Sequence, residues 1–177
     1  MISLLLLLLL AWNFYIGSHR GIILQTFYFF SSLISIGAAA IYYKRLSEVL
    51  TLWVPFSNAT PETSVNFFKS VDLFDLDKIF YSGLSFFVIY LAIYTVFRVL
   101  GIFVHFVKSD RFHKPFYTYL SGGLAVLVTM LSLSLFFNVL AAVPLQNIQS
   151  FLAKSFMIRF LIDFPLFSWL IHYFWLS

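Results

Sequence analysis

Cysteine is absent from this 177-residue chain, and charge is scarce. Without a thiol there is no disulfide, no cysteine nucleophile and no Cys-based metal site. Asp, Glu, Lys and Arg together make up only 10% of the residues, against about 25% in a typical soluble domain. The four histidines, His19, His105, His113 and His172, stand far apart, and no two share the four-residue spacing by which a helix presents paired ligands. No metal or cofactor site is expected. Ser82-Gly83 inside an apolar run is the nearest approach to a serine nucleophile, but no histidine can be paired with it from the sequence. These gaps leave no recognisable active site, and the expectation is a non-enzyme.

What the chain has instead is apolar surface, with 62% of its residues hydrophobic. A soluble protein of this size cannot hide so much, because a large share of its surface must face water. A bilayer removes the difficulty by serving as solvent for the outer faces. The net charge of +4 does not point to nucleic acid, since the cations stand at the ends of apolar runs. That is where a membrane surface holds them. The first expected partner is therefore the lipid bilayer, and the location a membrane.

Four apolar runs approach or exceed the roughly 17–25 residues of helix that cross a hydrocarbon core of about 30 Å. The first covers residues 2–16 and includes the unbroken leucines Leu4–Leu10. No Lys or Arg precedes it, and Trp12, Phe14 and Tyr15 follow where a cleavage site would need small residues, so it reads as an uncleaved helix. The short break Ser18-His19-Arg20-Gly21 makes it an antiparallel hairpin with the second run, residues 21–43, which Lys44-Arg45 closes. The third run covers 79–100 and the fourth 116–143, joined by a charged loop between Lys108 and Pro115.

Two segments lie outside the spans. Leu46–Lys78 is too long for a bare connection, and Leu46, Val49, Leu50 and Trp53 recur at helical spacing before Pro55. Phe67, Val71 and Phe74 repeat the pattern, with Thr60 and Pro61 suited to open a helix. The tail, 145–177, is interrupted by Lys154, Arg159, Asp163 and Pro165, and Leu166–Leu176 is too short to cross. Both segments read as amphipathic interfacial helices, a re-entrant path for the tail being the alternative. The fold class expected is an all-α membrane protein of about four transmembrane helices in one domain.

The two short loops share one side and carry Arg20, Lys108, Arg111 and Lys114 against the single acid Asp110. The positive-inside rule places them in the cytoplasm, with both termini and the long loop outward.

Arg98 is the sharpest single residue, about twenty residues into the third run. Either it faces the bundle and binds an anion or gates a path, or the span ends there and its stem lifts the guanidinium to the headgroups. Asn138, late in the fourth run, needs a partner inside the bundle. Asp72, Asp75 and Asp77 lack the glycine and the ligand number of a calcium loop and read as anchors for the third helix. Asn58-Ala59-Thr60 fits a glycosylation acceptor but reads as a turn before Pro61. Small residues four apart, Ser31, Ser35 and Ala39 and then Ser121, Ala125 and Thr129 beside Gly122-Gly123, mark seams where helices approach closely in lipid.

The turn Gly17-Ser18-His19-Arg20-Gly21 resembles the G-x-x-RG turn of the colicin V production (CvpA) membrane proteins. Tyr42-Tyr43-Lys44, Leu52-Trp53-Val54-Pro55-Phe56, Ala59-Thr60-Pro61-Glu62, Asp75-Leu76-Asp77-Lys78 with Phe80-Tyr81, then Arg98, Gly101-Ile102-Phe103, His105 and Gly122-Gly123 follow in the order of the family's Gram-positive branch. The Asp110-Arg111 pair departs from the pattern by standing farther from the glycines of the fourth helix, and Ala125 and Ser132 replace later glycines. The resemblance implies a multi-pass membrane protein linked to toxin production or export and to envelope homeostasis, acting through unidentified membrane protein partners or as a homo-oligomer. It carries over no catalytic residue. A small oligomeric channel or transporter for ions or small anions, with Arg98 and Asn138 on its path, is the alternative.

Overall fold

The computed structural model describes residues 2–56, 67, 76–105 and 115–175, and helices account for nearly all of them. Seven helices are described: α1 (Ile2–Arg20), α2 (Ile22–Trp53), α3 (Leu76–His105), α4 (Pro115–Ala141), α5 (Gln146–Lys154), α6 (Phe156–Asp163) and α7 (Pro165–Trp175). The first four are long and apolar enough to cross a membrane. Their leucines, isoleucines and aromatics face outward as well as inward, and Leu4, Leu5, Leu8, Phe30, Ile41 and Phe103 are all exposed. A helix that is apolar on every side needs lipid or protein all round.

Local chemistry sets the helix ends. Gly21 holds φ at 85°, which breaks α1 from α2 within one residue. The residue after α2, Val54, turns extended ahead of Pro55. Pro115 and Pro165 open α4 and α7, positions where the missing N–H costs nothing. Ser155 caps α6 by accepting from the Ile158 N–H.

α2 runs straight through Lys44-Arg45, so the short helix expected before Pro55 is the last part of the same continuous helix. The two cations mark where the span leaves the apolar layer and do not end the helix. The expected α1–α2 hairpin also differs in its packing. The two helices touch little beyond their turn, while α1 packs on α4 and α2 packs on α3. Small residues decide this: Gly17 lies so close to Ala125 and Ser121 that an added Cβ would meet the Ala125 Cβ at 2.4 Å. Dispersion across such a close seam outweighs adjacency along the chain.

α4 is the centre of the bundle, with half of its apolar window buried against 17% for α1 and for α3. The tail completes its surround. α5 crosses beneath the end of α4, where Gln149 Nε2 donates to the carbonyls of Ala141 and Val143, both at 2.9 Å. That satisfies the Ala141 carbonyl, which the helix terminus leaves open, and gives the Val143 carbonyl a second donor beside the Leu145 N–H. α6 begins beside the start of α1, with Ser155 Oγ 2.9 Å from Ser3 Oγ. It packs against α4 and α1 through Met157, Ile158, Leu161 and Ile162. By Phe167 the chain has reached Leu127, Val128 and Leu131, at the middle of α4. α7 then returns, and Trp175 seats its ring on Gly83 and beside Phe86, near the start of α3. The amphipathic tail thus has two parts, an end-covering α5 and a helical hairpin, α6–α7, laid along the bundle wall to about half its depth.

The acids Asp72 and Asp75, the turn at Asn58 and the charged loop from Lys108 to Lys114 lie outside the described residues.

Candidate functional site

Three helices converge on one hydrogen-bonded chain at mid-depth. The Tyr90 hydroxyl, on a fully buried ring, lies 3.1 Å from Ser32 Oγ and 2.8 Å from Ser132 Oγ. Ser132 Oγ gives its one proton to the Val128 carbonyl at 2.9 Å, so it must accept from Tyr90. Tyr90 then has no proton left, and Ser32 donates to it. The chain therefore runs in one direction, Ser32 to Tyr90 to Ser132 to Val128, and ties α2, α3 and α4 together. Every member is satisfied, which is the condition for a polar group to be tolerated in lipid.

One turn toward the short-loop side, Tyr94 stacks on Tyr90 with ring centroids 5.7 Å apart and planes 7° from parallel. One further turn brings Arg98, whose guanidinium carbon lies 6.0 Å from the Tyr94 centroid and 5.4 Å from that of Tyr28 on α2. Arg20, at the end of α1, reaches the same Tyr28 ring at 5.9 Å. Tyr28 is pressed against α3 at Gly101, where an added Cβ would come within 2.5 Å of its ring and hydroxyl. A glycine at 101 leaves room for that ring. Two guanidiniums thus reach one buried phenol, and among the described residues neither is held by a carboxylate.

The depth of this cluster follows from helix geometry. Arg98 stands 22 residues after the start of α3, or about 33 Å at 1.5 Å per residue. Arg20 stands 18 residues after the start of α1, or about 27 Å. Both therefore meet the far headgroup layer of a core about 30 Å thick. Arg98 is exposed there, which favours the span-ending reading over a bundle-facing charge.

The remaining candidates fall elsewhere. Asn138 is buried near the other end of α4, and its Nδ2 donates one turn back to Ser134, to the carbonyl at 2.9 Å and weakly to Oγ at 3.4 Å. Its partner is on its own helix. Taking Tyr90 and Ser132 as one level, Arg98 lies eight residues to one side and Asn138 six to the other, about 21 Å apart in depth. They share no site. Gly122 lies under the Phe14 ring of α1, and Gly21 makes the turn beside Arg20. Gly123 has open space where its side chain would be. Asp77 accepts from the N–H of Lys78 at the head of α3, in line with the anchoring role. Among the described residues no three His, Asp or Glu side chains gather as metal ligands.

Sequence reasoning missed Tyr28, Tyr90 and Gln149. The first two hide among 21% aromatic residues, although Tyr90, Tyr94 and Arg98 at four-residue steps were a usable signal. Gln25 Oε1 and Trp175 Nε1 are buried without hydrogen-bond partners among the described residues. A cavity of about 260 Å³ opens between α2, α4 and α7; apart from Ser32 its lining is apolar, with Phe29, Leu33, Leu131 and Phe167 among the walls.

The colicin V production protein family model matches residues 2–165. The chain belongs to that family. It is also 26% identical to the uncharacterised transmembrane protein YshB of Bacillus subtilis (strain 168), over 99% of this chain and 97% of that protein. No solved structure gives a significant match. Family membership and the four apolar helices together make this a multi-pass membrane protein of the colicin V production family. The match ends at Pro165, where α7 begins, so the returning arm of the tail hairpin lies beyond it.

Proposed function

We propose that this colicin V production family member is a non-enzymatic accessory protein of the cell membrane, supporting the production or export of a toxin or bacteriocin and envelope homeostasis through membrane-embedded partners. The observation that carries this reading is the outward face of the α6–α7 hairpin. Arg159 and Asp163 are exposed on α6, one turn apart, and Trp169 and Tyr173 are 66% and 60% exposed on α7 with their rings stacked at 5.7 Å. Asp163 immediately precedes the turn that lies near the middle of α4. A cation and an anion exposed to hydrocarbon at that depth are costly, and a partner helix that covers them removes the cost. The proposed orientation keeps the short loops cytoplasmic, from their excess of Lys and Arg.

Photo-crosslinkers placed at Trp169 and Tyr173 in cells test the reading against the same probe at Leu5 and Leu8 on the lipid-facing wall of α1. A discrete protein adduct confined to the α7 positions is expected, reduced in an Arg159→Ala, Asp163→Ala variant. Adducts with lipid alone at all four positions sink it.

The channel or transporter reading is weaker. The polar chain from Arg98 stops at Ser32 and Ser132, and the next layer holds the fully buried Phe86 and Leu135. Liposomes containing the purified protein are expected to show no Arg98-dependent flux of chloride or phosphate; such a flux would revive that reading.

A further inference from the structure

We infer that Arg20, Arg98 and Tyr28 form a binding site for the phosphate of an anionic phospholipid headgroup, in the leaflet on the side of the short loops. The argument starts from an electrostatic conflict. Two guanidiniums brought from different helices to the same ring repel each other, and the ring's quadrupole offsets this only in part. Nothing forces them together through a short connection, since Arg98 lies at sequence positions remote from both Arg20 and Tyr28. No carboxylate among the described residues stands between them.

A phosphate resolves the conflict. Its oxygens accept forked hydrogen bonds from guanidinium groups, and one anion between two arginines turns mutual repulsion into joint attraction. The phenol of Tyr28 is buried and packed against Gly101, so the ring that both cations approach is already in place before any ligand arrives. Depth selects the source of the phosphate. Both arginines stand at the boundary reached by about 27–33 Å of helix, which is the headgroup layer. Arg98 is exposed and Arg20 partly so, which leaves the cluster open sideways to lipid.

The test uses the full chain in detergent and in nanodiscs. Native mass spectrometry counts retained phosphatidylglycerol against phosphatidylcholine, and thermal unfolding follows protection by each lipid and by inorganic phosphate alone. The expected result is selective retention of phosphatidylglycerol, weakened about five-fold by Arg98→Gln or by Arg20→Gln and further by both. Arg98→Lys should retain the charge attraction but lose the forked geometry, giving an intermediate value. Equal retention of both lipids, or unchanged selectivity in the double variant, overturns the inference. Protection by inorganic phosphate equal to that by phosphatidylglycerol overturns the lipid assignment in favour of a soluble anion. Gly123→Ala, whose added methyl group points into open space, serves as the folded control. The outcome is independent of whether a protein partner binds the α6–α7 face.

Discussion

α1 and α2 leave the same tight turn, yet they join the bundle by opposite means. α1 meets α4 backbone to backbone: Gly17, Ser121, Gly122 and Ala125 bring the helices close enough for Ser121 Oγ to donate to the Gly17 carbonyl at 2.6 Å. α2 meets α3 and α4 through large residues, with Tyr28 and Tyr90 as spacers and a hydrogen-bonded chain running between them. The first seam gains from many short dispersion contacts and has no room to give. The second adds polar links between helices, and it is the one that carries charge to the membrane surface. Where apolar burial drives nothing, small residues and satisfied polar groups are the two ways left to bind helices.

Substitutions separate the two seams, and the largest effect falls on the small-residue one. Gly17→Leu forces side-chain atoms into Ala125 and the Ser121 carbonyl, and overpacking of this kind costs about 1–3 kcal/mol or more. The folded monomer should be lost or its thermal unfolding in detergent lowered by many degrees; an unchanged midpoint would show that α1 does not dock as described. Next comes the polar seam. Tyr90→Phe removes both links at mid-depth and leaves Ser32 without its acceptor, for about 1 kcal/mol by the same assay. If Ser32→Ala, Tyr90→Phe is no worse than either change alone, the two groups act as one coupled unit. The smallest effect belongs to Gly123→Ala, which meets nothing within 4 Å and should stay within about 0.5 kcal/mol of the parent. A larger loss there would mean that another protein surface covers the position.

The contrast also bears on the proposed roles. Gly17, Ser121, Gly122 and Ala125 are all buried in the α1–α4 seam and offer a ligand nothing, whereas the polar seam leads to Arg20 and Arg98 at one surface. The partner face is separate again, on the α6–α7 hairpin around Arg159 and Asp163.

Much of the architecture was legible because a bilayer imposes simple demands. Four spans, their order and the short breaks between them follow from run length, and Gly21, Pro55 and Pro115 stand at or beside the ends they were read to mark. The seams at Ser121, Ala125 and Ser35 were legible from spacing, since those residues are buried where helices meet. The site was less so. Arg98 was visible as an outlier, but not that Arg20 would share its aromatic platform, nor that Asn138 would satisfy itself on Ser134.

The sequence by itself determined the solvent, the number of crossings and the absence of thiol chemistry, because these depend on composition and on distance along the chain. Only the tertiary structure decided which helix lies beside which, how deep the tail runs, and that two arginines seventy-eight positions apart meet on Tyr28. Those outcomes rest on packing between surfaces that are all apolar. There the choice of neighbour turns on a glycine that lets backbones touch or a hydroxyl that finds its acceptor, and spacing along the chain marks such residues without saying which helix they will meet.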